Sequence, residues 1–436
     1  MNIWAWIGLT GIVIFTLIPL LQKENRTKIN IWEAIVNVLT VCGIIIAVLI
    51  FNVNILFAIV GGFIVMIVLD RKTYTKKRLM IYGGIILTII IAGNVIFRDN
   101  PDYVLNHLRD HPETTSLYVV ENGEEIITYQ SDIVRPLAST VKILVAVQYA
   151  MEVDAGTLDP DSYVPLDDLK QYYYKGSDGN AHEEWLDAME GSGKINHKNE
   201  VTLHDVAKGM ITFSSNANTD YFIDLMGVHS INERAESLGL TEHEEVYPLV
   251  GALLIPEDIQ KDDLSQDELV EELENMPMDE YREIAKEKSE QMKDGTINME
   301  DYTFEMPINL QKIWSKRLTG ASANNYGKLL AMISNDELPD VANETIRDLL
   351  EWPLEVNEEN NEYFTHFGAK GGSTGFILNN VIYVEDHDGN KIESVLLTDD
   401  LSIWQQLMIS HNFSSFESKL IMNEDYRLKV QRELSD

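Results

Sequence analysis

Along the first part of the chain, apolar residues come in unbroken runs. Those at 3–21, 31–51, 53–69 and 79–97 each approach the ~20 residues that a helix needs to cross a bilayer. Four membrane-spanning helices are predicted over 1–97, the second and third joined by a tight hairpin at Asn52. Past Phe97 the pattern changes to short alternating or helical periods, which sets 98–436 apart as a second domain. There 116–120 and 125–129 are β-rich runs flanking Asn122-Gly123, the dipeptide that most strongly signals a hairpin. From 139 to 153 apolar residues recur at helical spacing, and Thr202 with Asp205 reads as the start of a helix running through Asp220. Residues 376–384 and 391–397 are strand-like around Asp388-Gly389, and 401–410 reads as a closing helix. Strands at both ends with helices between must meet in one sheet to cover their edges. The expectation is an α+β domain, with an antiparallel sheet from its N- and C-terminal strands and a helical subdomain, preceded by an all-α region of four transmembrane helices.

Charge orients this arrangement. Eight of the 34 Lys+Arg but three of the 70 Asp+Glu fall in 1–97, and all eight bases lie in the loops 22–30 and 70–78. The positive-inside bias puts both loops in the cytoplasm and 98–436 outside, with Trp4, Trp6 and Trp32 as interfacial anchors. The outer domain is left with 26 bases against 67 acids, a balance that repels phosphate backbones and excludes nucleic-acid binding. Cys42, the single cysteine, lies in an apolar run, so neither a disulfide framework nor a thiolate metal site is expected, and no cofactor is implied. Residues 257–294 hold 15 acids and five bases, with Leu264, Leu269, Val270 and Leu273 at helical offsets and Pro277 as a breaker. They read as a pair of solvated helices inserted at about 257–300, or alternatively as a docking surface for a cationic partner. The run Tyr172, Tyr173 and Tyr174 is consistent with packing, a rim or a substrate groove.

Three short motifs carry chemistry. Ser139-Thr140-Val141-Lys142 sets a hydroxyl and an amine three residues apart, on one face of a helix, so that a nucleophile stands beside a base. That base must be neutral part of the time, which burial and a second cation favour. Ser214-Ser215-Asn216 brings another hydroxyl and an amide to the end of an apolar helical face. Lys370-Gly371-Gly372-Ser373-Thr374-Gly375 precedes a β-run, where small residues let a substrate backbone approach a strand edge.

In this order the motifs resemble those of the penicillin-recognising serine hydrolases, most closely the class A β-lactamase-like branch, over about 114–409. The resemblance implies a β-lactamase/transpeptidase-like α/β sandwich and acyl transfer on a β-lactam or a D-alanyl cell-wall peptide. It assigns attack to Ser139, general-base work to Lys142 and proton relay to Ser214. Asn216 would hold Lys142 and the substrate amide, and Lys370 would supply positive charge. The backbone N–H groups of Ser139 and Ser373 would form the oxyanion hole, with Gly372, Ser373 and Thr374 binding substrate. Two positions depart from the pattern. Gly371 stands where the family usually has Thr or Ser, and no Glu-x-x-Leu-Asn follows Asn216 to supply the carboxylate of the deacylating water. Glu242, Glu244 and Glu245 lie in the corresponding region and read as turn acids.

Two other classes of function fit the same layout. A penicillin-binding sensor would need a protein partner, because cytoplasmic loops this short hold no output domain. Its family couples to zinc proteases, yet the sequences starting at His182 and His243 do not complete His-Glu-x-x-His. A non-catalytic wall-binding module would have no physical need for Ser139, Lys142, Ser214, Asn216 and Lys370 together.

Overall fold

The computed structural model describes residues 98–435 apart from 261–263, 303 and 305. The four predicted spans therefore lie outside the described residues. Among the described residues no helix is long and apolar enough to cross a membrane.

Helix α1 (Pro101–Asp110) leads into β1 (Thr115–Glu121) and β2 (Glu124–Tyr129). Asn122 and Gly123 both take positive φ between these strands, as the two central residues of a tight hairpin turn must. The short β3 (Val134–Pro136) pairs with β4 (Gly320–Ser322). Strands β5 (Phe364–Ser373), β6 (Leu378–Asp386) and β7 (Lys391–Thr398) complete a five-stranded antiparallel sheet in the order β2-β1-β7-β6-β5. First and last strands thus meet as expected, with β1 paired along its length to β7. The motif-bearing strand β5 is left at the edge.

The sheet is buried on both faces. Leu117, Val119, Ile382 and Leu396 pack with Val104, Leu105 and Phe416, whereas Tyr118, Val120, Val381, Tyr383 and Val395 pack against the helical body. That body is built on the helix Lys142–Asp154, in which Ile143 through Val147 are all buried. The closing helix is longer than the sequence suggests, Ile403–Met422, and a further helix, Glu424–Leu434, follows it.

The expected long helix through Asp220 is instead three pieces: Leu203–Lys208, a π-helical turn Gly209–Phe213, and Asn216–Met226. Ser214 breaks it with φ 71°, and the Ser215 hydroxyl caps the new helix by accepting the Asn218 N–H at 3.2 Å.

The acidic insertion also differs from a pair of merely solvated helices. Gln266–Asn275 and Met278–Lys293 do form, split at Pro277. Their apolar sides, Leu269, Leu273, Tyr281 and Ala285, bury themselves with Tyr247, Ile255, Leu310 and Ile313 in a core of their own. This lobe leaves the body and returns to it at one place. Glu244 N–H donates to Gly320 O at 2.8 Å, Ser322 N–H to Glu242 O at 3.1 Å, and the Thr319 hydroxyl to Glu245 O at 3.1 Å. Residues 245–319 are thus one closed excursion.

Candidate active site

Ser139 sits half-buried in a 3-10 turn, Ala138–Val141, that runs straight into the helix beginning at Lys142. Ala138 just before it has φ 48°, a left-handed conformation that costs a non-glycine residue about 1–2 kcal/mol. Strain of this kind persists where the surroundings over-determine the backbone. The turn lies against the edge strand β5, and Asn379 on β6 ties it down by donating to the carbonyls of Pro136 and Leu137 at 2.8 and 3.1 Å.

Lys142 is fully buried, and its amine donates to Ser214 O at 2.5 Å, Asn216 Oδ1 at 2.8 Å and Ser214 Oγ at 3.2 Å. None of these bonds goes to Ser139: the three donors of the ammonium are taken up by the 214–216 segment. Lys370, also buried, donates to the same Ser214 Oγ at 3.0 Å and to Gly371 O at 2.8 Å. Two amines therefore converge on one hydroxyl. Burial first, and then the charge of Lys370, hold the Lys142 amine well below the usual lysine value, while Asp178 and Asp220 pull it back up. Burial alone brings Lys370 down to about 7. An amine in this range gives and takes protons near neutrality.

Ser139, Ser214, Asn216, Lys370, Ser373 and Thr374 line one cleft of about 490 Å³, a size that holds small ligands. Lys142 lies behind it, and Gly372 is pressed beneath the 138–140 turn. The Thr374 hydroxyl is already engaged, accepting from Ser315 Oγ at 2.9 Å and from Phe376 N at 3.1 Å. Glu242, Glu244 and Glu245 are not in the lining; Glu242 holds Asn325 and Glu244 holds the Gly320 N–H, both at the stem of the lobe. Of the tyrosine run, Tyr172 and Tyr174 are buried against the lobe, where Tyr174 packs on Phe304 with ring centroids 5.6 Å apart.

Several site residues were not singled out in the sequence. The lobe contributes Leu249, Phe304, Gln311, Trp314 and Leu318 to the cleft, and Asp178 is the one carboxylate among the described lining residues. Asp220, wholly buried, accepts the backbone N–H groups of Leu249 and Val250 at 2.8 Å each, which fastens the start of the lobe beneath the cleft. Burial pushes its carboxyl up to about 7, against those N–H groups and the nearby Lys142. His182, read only as part of an incomplete zinc motif, is buried behind the 214–216 segment with Nδ1 3.0 Å from Ser215 Oγ. Only the glycines around Asp178, in Gly176-Ser177-Asp178-Gly179, signalled a built turn.

A sequence profile described as the β-lactamase enzyme family matches residues 102–407. The chain belongs to the β-lactamase enzyme family. Among solved structures, β-lactamases from Chitinophaga pinensis and Sphaerobacter thermophilus are 13% and 16% identical to it. Each comparison covers 73% of this chain, and 99% and 97% of the other, with TM-scores of 0.44 and 0.43. A mutant of PBP-A in its acyl-enzyme complex with penicillin G is 15% identical over 72% of this chain and 95% of that one, with a TM-score of 0.43. No curated protein matches. Membership of the β-lactamase family agrees with the α+β domain and its five-stranded antiparallel sheet.

Proposed function

We propose that this chain is a membrane-anchored acyl-transfer enzyme that acts through a Ser139 acyl-ester on β-lactams or D-alanyl cell-wall peptides at the outer face of the membrane. The observation that carries the reading is the meeting of Lys142 and Lys370 on the Ser214 hydroxyl, within one cleft with Ser139. Ser139 Oγ attacks the carbonyl as Lys142, in its neutral form, takes the hydroxyl proton. The carbonyl then re-forms, the C–N bond breaks, and the proton passes from Lys142 through Ser214 to the leaving nitrogen. Water later releases the acyl group, or an amine accepts it. Asn216 keeps Lys142 in place, and Lys370 supplies positive charge beside the leaving group. The edge position of β5 supports an oxyanion hole from the N–H groups of Ser139 and Ser373, since an edge strand leaves alternate donors unpaired.

The four apolar runs of 1–97 support the anchor, and the basic loops between them support an outward-facing catalytic domain. Labelling of the full-length chain with a fluorescent penicillin tests the function: a covalent adduct is expected, and its loss in Ser139→Ala. An undiminished adduct in that variant would move the nucleophile elsewhere.

A further inference from the structure

We propose that Asp178 is a positioning residue for the base: its carboxylate and the Lys142 amine hold Asn216 from two sides, and its negative charge governs how readily Lys142 gives up its proton. This rests on the reading of Lys142 as the base that activates Ser139.

The turn that carries Asp178 is built to place it. Gly176, Gly179 and Asn180 all have positive φ, at 84°, 70° and 76°, conformations that glycine and asparagine take most cheaply. Between them Ser177 and Asp178 both face the cleft. The turn is stitched on either side, by Ser177 N–H to Tyr174 O at 3.0 Å and by Phe304 N–H, from the lobe, to Lys175 O at 3.0 Å. Asp178 Oδ2 accepts the Asn216 N–H at 3.3 Å, while Lys142 Nζ donates to Asn216 Oδ1 at 2.8 Å. One residue therefore stands between anion and cation. Among the described residues Asp178 Oδ1 is buried and has no hydrogen-bond partner, so the Asn216 N–H is the group that holds the carboxylate.

Lys142 is faced by Lys370 from β5, by Asp178 from the turn, by Asp220 from the helix Asn216–Met226, and by the neutral Ser214 and Asn216. Asp220 also offsets Lys370, but burial pushes its carboxyl up to about 7, so on the acid side of neutrality it loses the charge with which it does so. Asp178 in turn is faced by Lys142, His182, Tyr173 and the Asn216 N–H. Burial holds His182 below its ordinary value and Tyr173 above its own, so both are neutral at pH 7 and Lys142 is the cation that answers Asp178.

The competing role is a plain helix cap, since an acid at a helix N-terminus is favourable whatever lies nearby. Asparagine separates the two, because it keeps an acceptor for the Asn216 N–H and drops the charge. Removing an anion beside an amine disfavours the ammonium, so neutral Lys142 persists to lower pH. In full-length Asp178→Asn, the acid limb of the rate of acylation by benzylpenicillin, followed by intact mass over pH 5–10, should move about one unit toward acid. Asp178→Glu, which keeps the charge, should leave the limb where the wild type has it. An unmoved limb in Asp178→Asn, or a moved one in Asp178→Glu, overturns the inference. Should the asparagine variant not fold, Asp178→Ser, which likewise keeps an acceptor and drops the charge, takes the same test, and an unmoved limb there overturns the inference. The reading beneath it fails differently: Lys142→Met would then acylate at the wild-type rate, whatever the Asp178 variants do.

Discussion

Gly372 is packed so closely under the turn that carries Ser139 that a β-carbon on it would stand 2.9 Å from the backbone nitrogen of Ser139 and 2.7 Å from Leu137 O. Both neighbours are backbone atoms and cannot swing aside. Gly372→Ala should therefore push β5 from the turn and lower acylation about 10²-fold, the scale of a 1 Å misplacement at a reacting centre. Gly371 is different: a β-carbon there meets only Asn380 Oδ1 at 3.6 Å and Asn379 O at 3.9 Å. Gly371→Ser should acylate within a few-fold of the wild type. If the two variants behave alike when adduct formation is timed, the close approach at Gly372 has no functional weight.

Lys142 combines full burial with hydrogen bonds to both Ser214 and Asn216, so its loss takes away the proposed base and those side-chain bonds but none of the backbone bonds of the helix Lys142–Asp154. We expect Lys142→Ala to retain the native circular dichroism spectrum and to acylate at least ~10² more slowly, the usual contribution of a positioned base. Native-like rates would assign proton abstraction to another group.

Deacylation should be slow. Asp178 is the single carboxylate among the described lining residues and is turned to Asn216, with its other oxygen buried. With no carboxylate aimed at the acyl-ester, adducts with penicillins should last for minutes or longer. Nitrocefin turnover above about 10 per second, the median enzyme rate, would refute this.

Asp220 links stability to pH. Its carboxyl is raised by burial to about 7 in the folded chain, against about 3.9 unfolded. Between those values the folded state holds a proton that the unfolded state has released, so this group makes stability fall as pH rises from about 4 to 7. Asp220→Asn cannot titrate, and the drop in urea midpoint between pH 4.5 and 7 should be smaller in the variant. Parallel pH dependences would show that Asp220 ionises normally in the fold.

The proposed topology rests on the basic loops 22–30 and 70–78. In a Cys42→Ser background, Thr75→Cys should be shielded from impermeant maleimide in whole cells and Asn122→Cys should be labelled. The reverse pattern would put the catalytic domain in the cytoplasm.

What could be read in the sequence was whatever local chemistry decides. Asn122-Gly123 is a hairpin because two positive φ values are needed there, and the three motifs keep their spacing because each lies on a single turn or strand. The break at Ser214 was hidden, since Met210 and Ile211 continue the helical period and the groups that meet the 214–216 segment, Lys142, Lys370, His182 and Asp178, are distant in sequence. Phe304 and Trp314 were hidden for another reason: they lie far from Ser139 in the chain and reach it through the closure at Glu244 and Gly320, the hold of Asp220 on Leu249 and Val250, and the bond from Phe304 N–H to Lys175 O. The last helix was legible and missed, for Asn423 followed by Glu424 and Asp425 is a strong start signal; Asn423 Oδ1 accepts the Tyr426 N–H at 2.9 Å.

The closure at Glu244 and Gly320 has an evolutionary consequence. An excursion whose two ends already touch can grow or shrink at little expense, since each doubling of a flexible loop adds only about 0.6 kcal/mol of closure entropy. One wall of the cleft, Phe304 and Trp314 included, belongs to that excursion, whereas Ser139, Lys142, Ser214 and Lys370 do not. A lineage can thus lengthen or shorten the far part of the segment and inherit a differently shaped mouth, provided it keeps the N–H groups of Leu249, Val250 and Phe304 that hold Asp220 and the Asp178 turn.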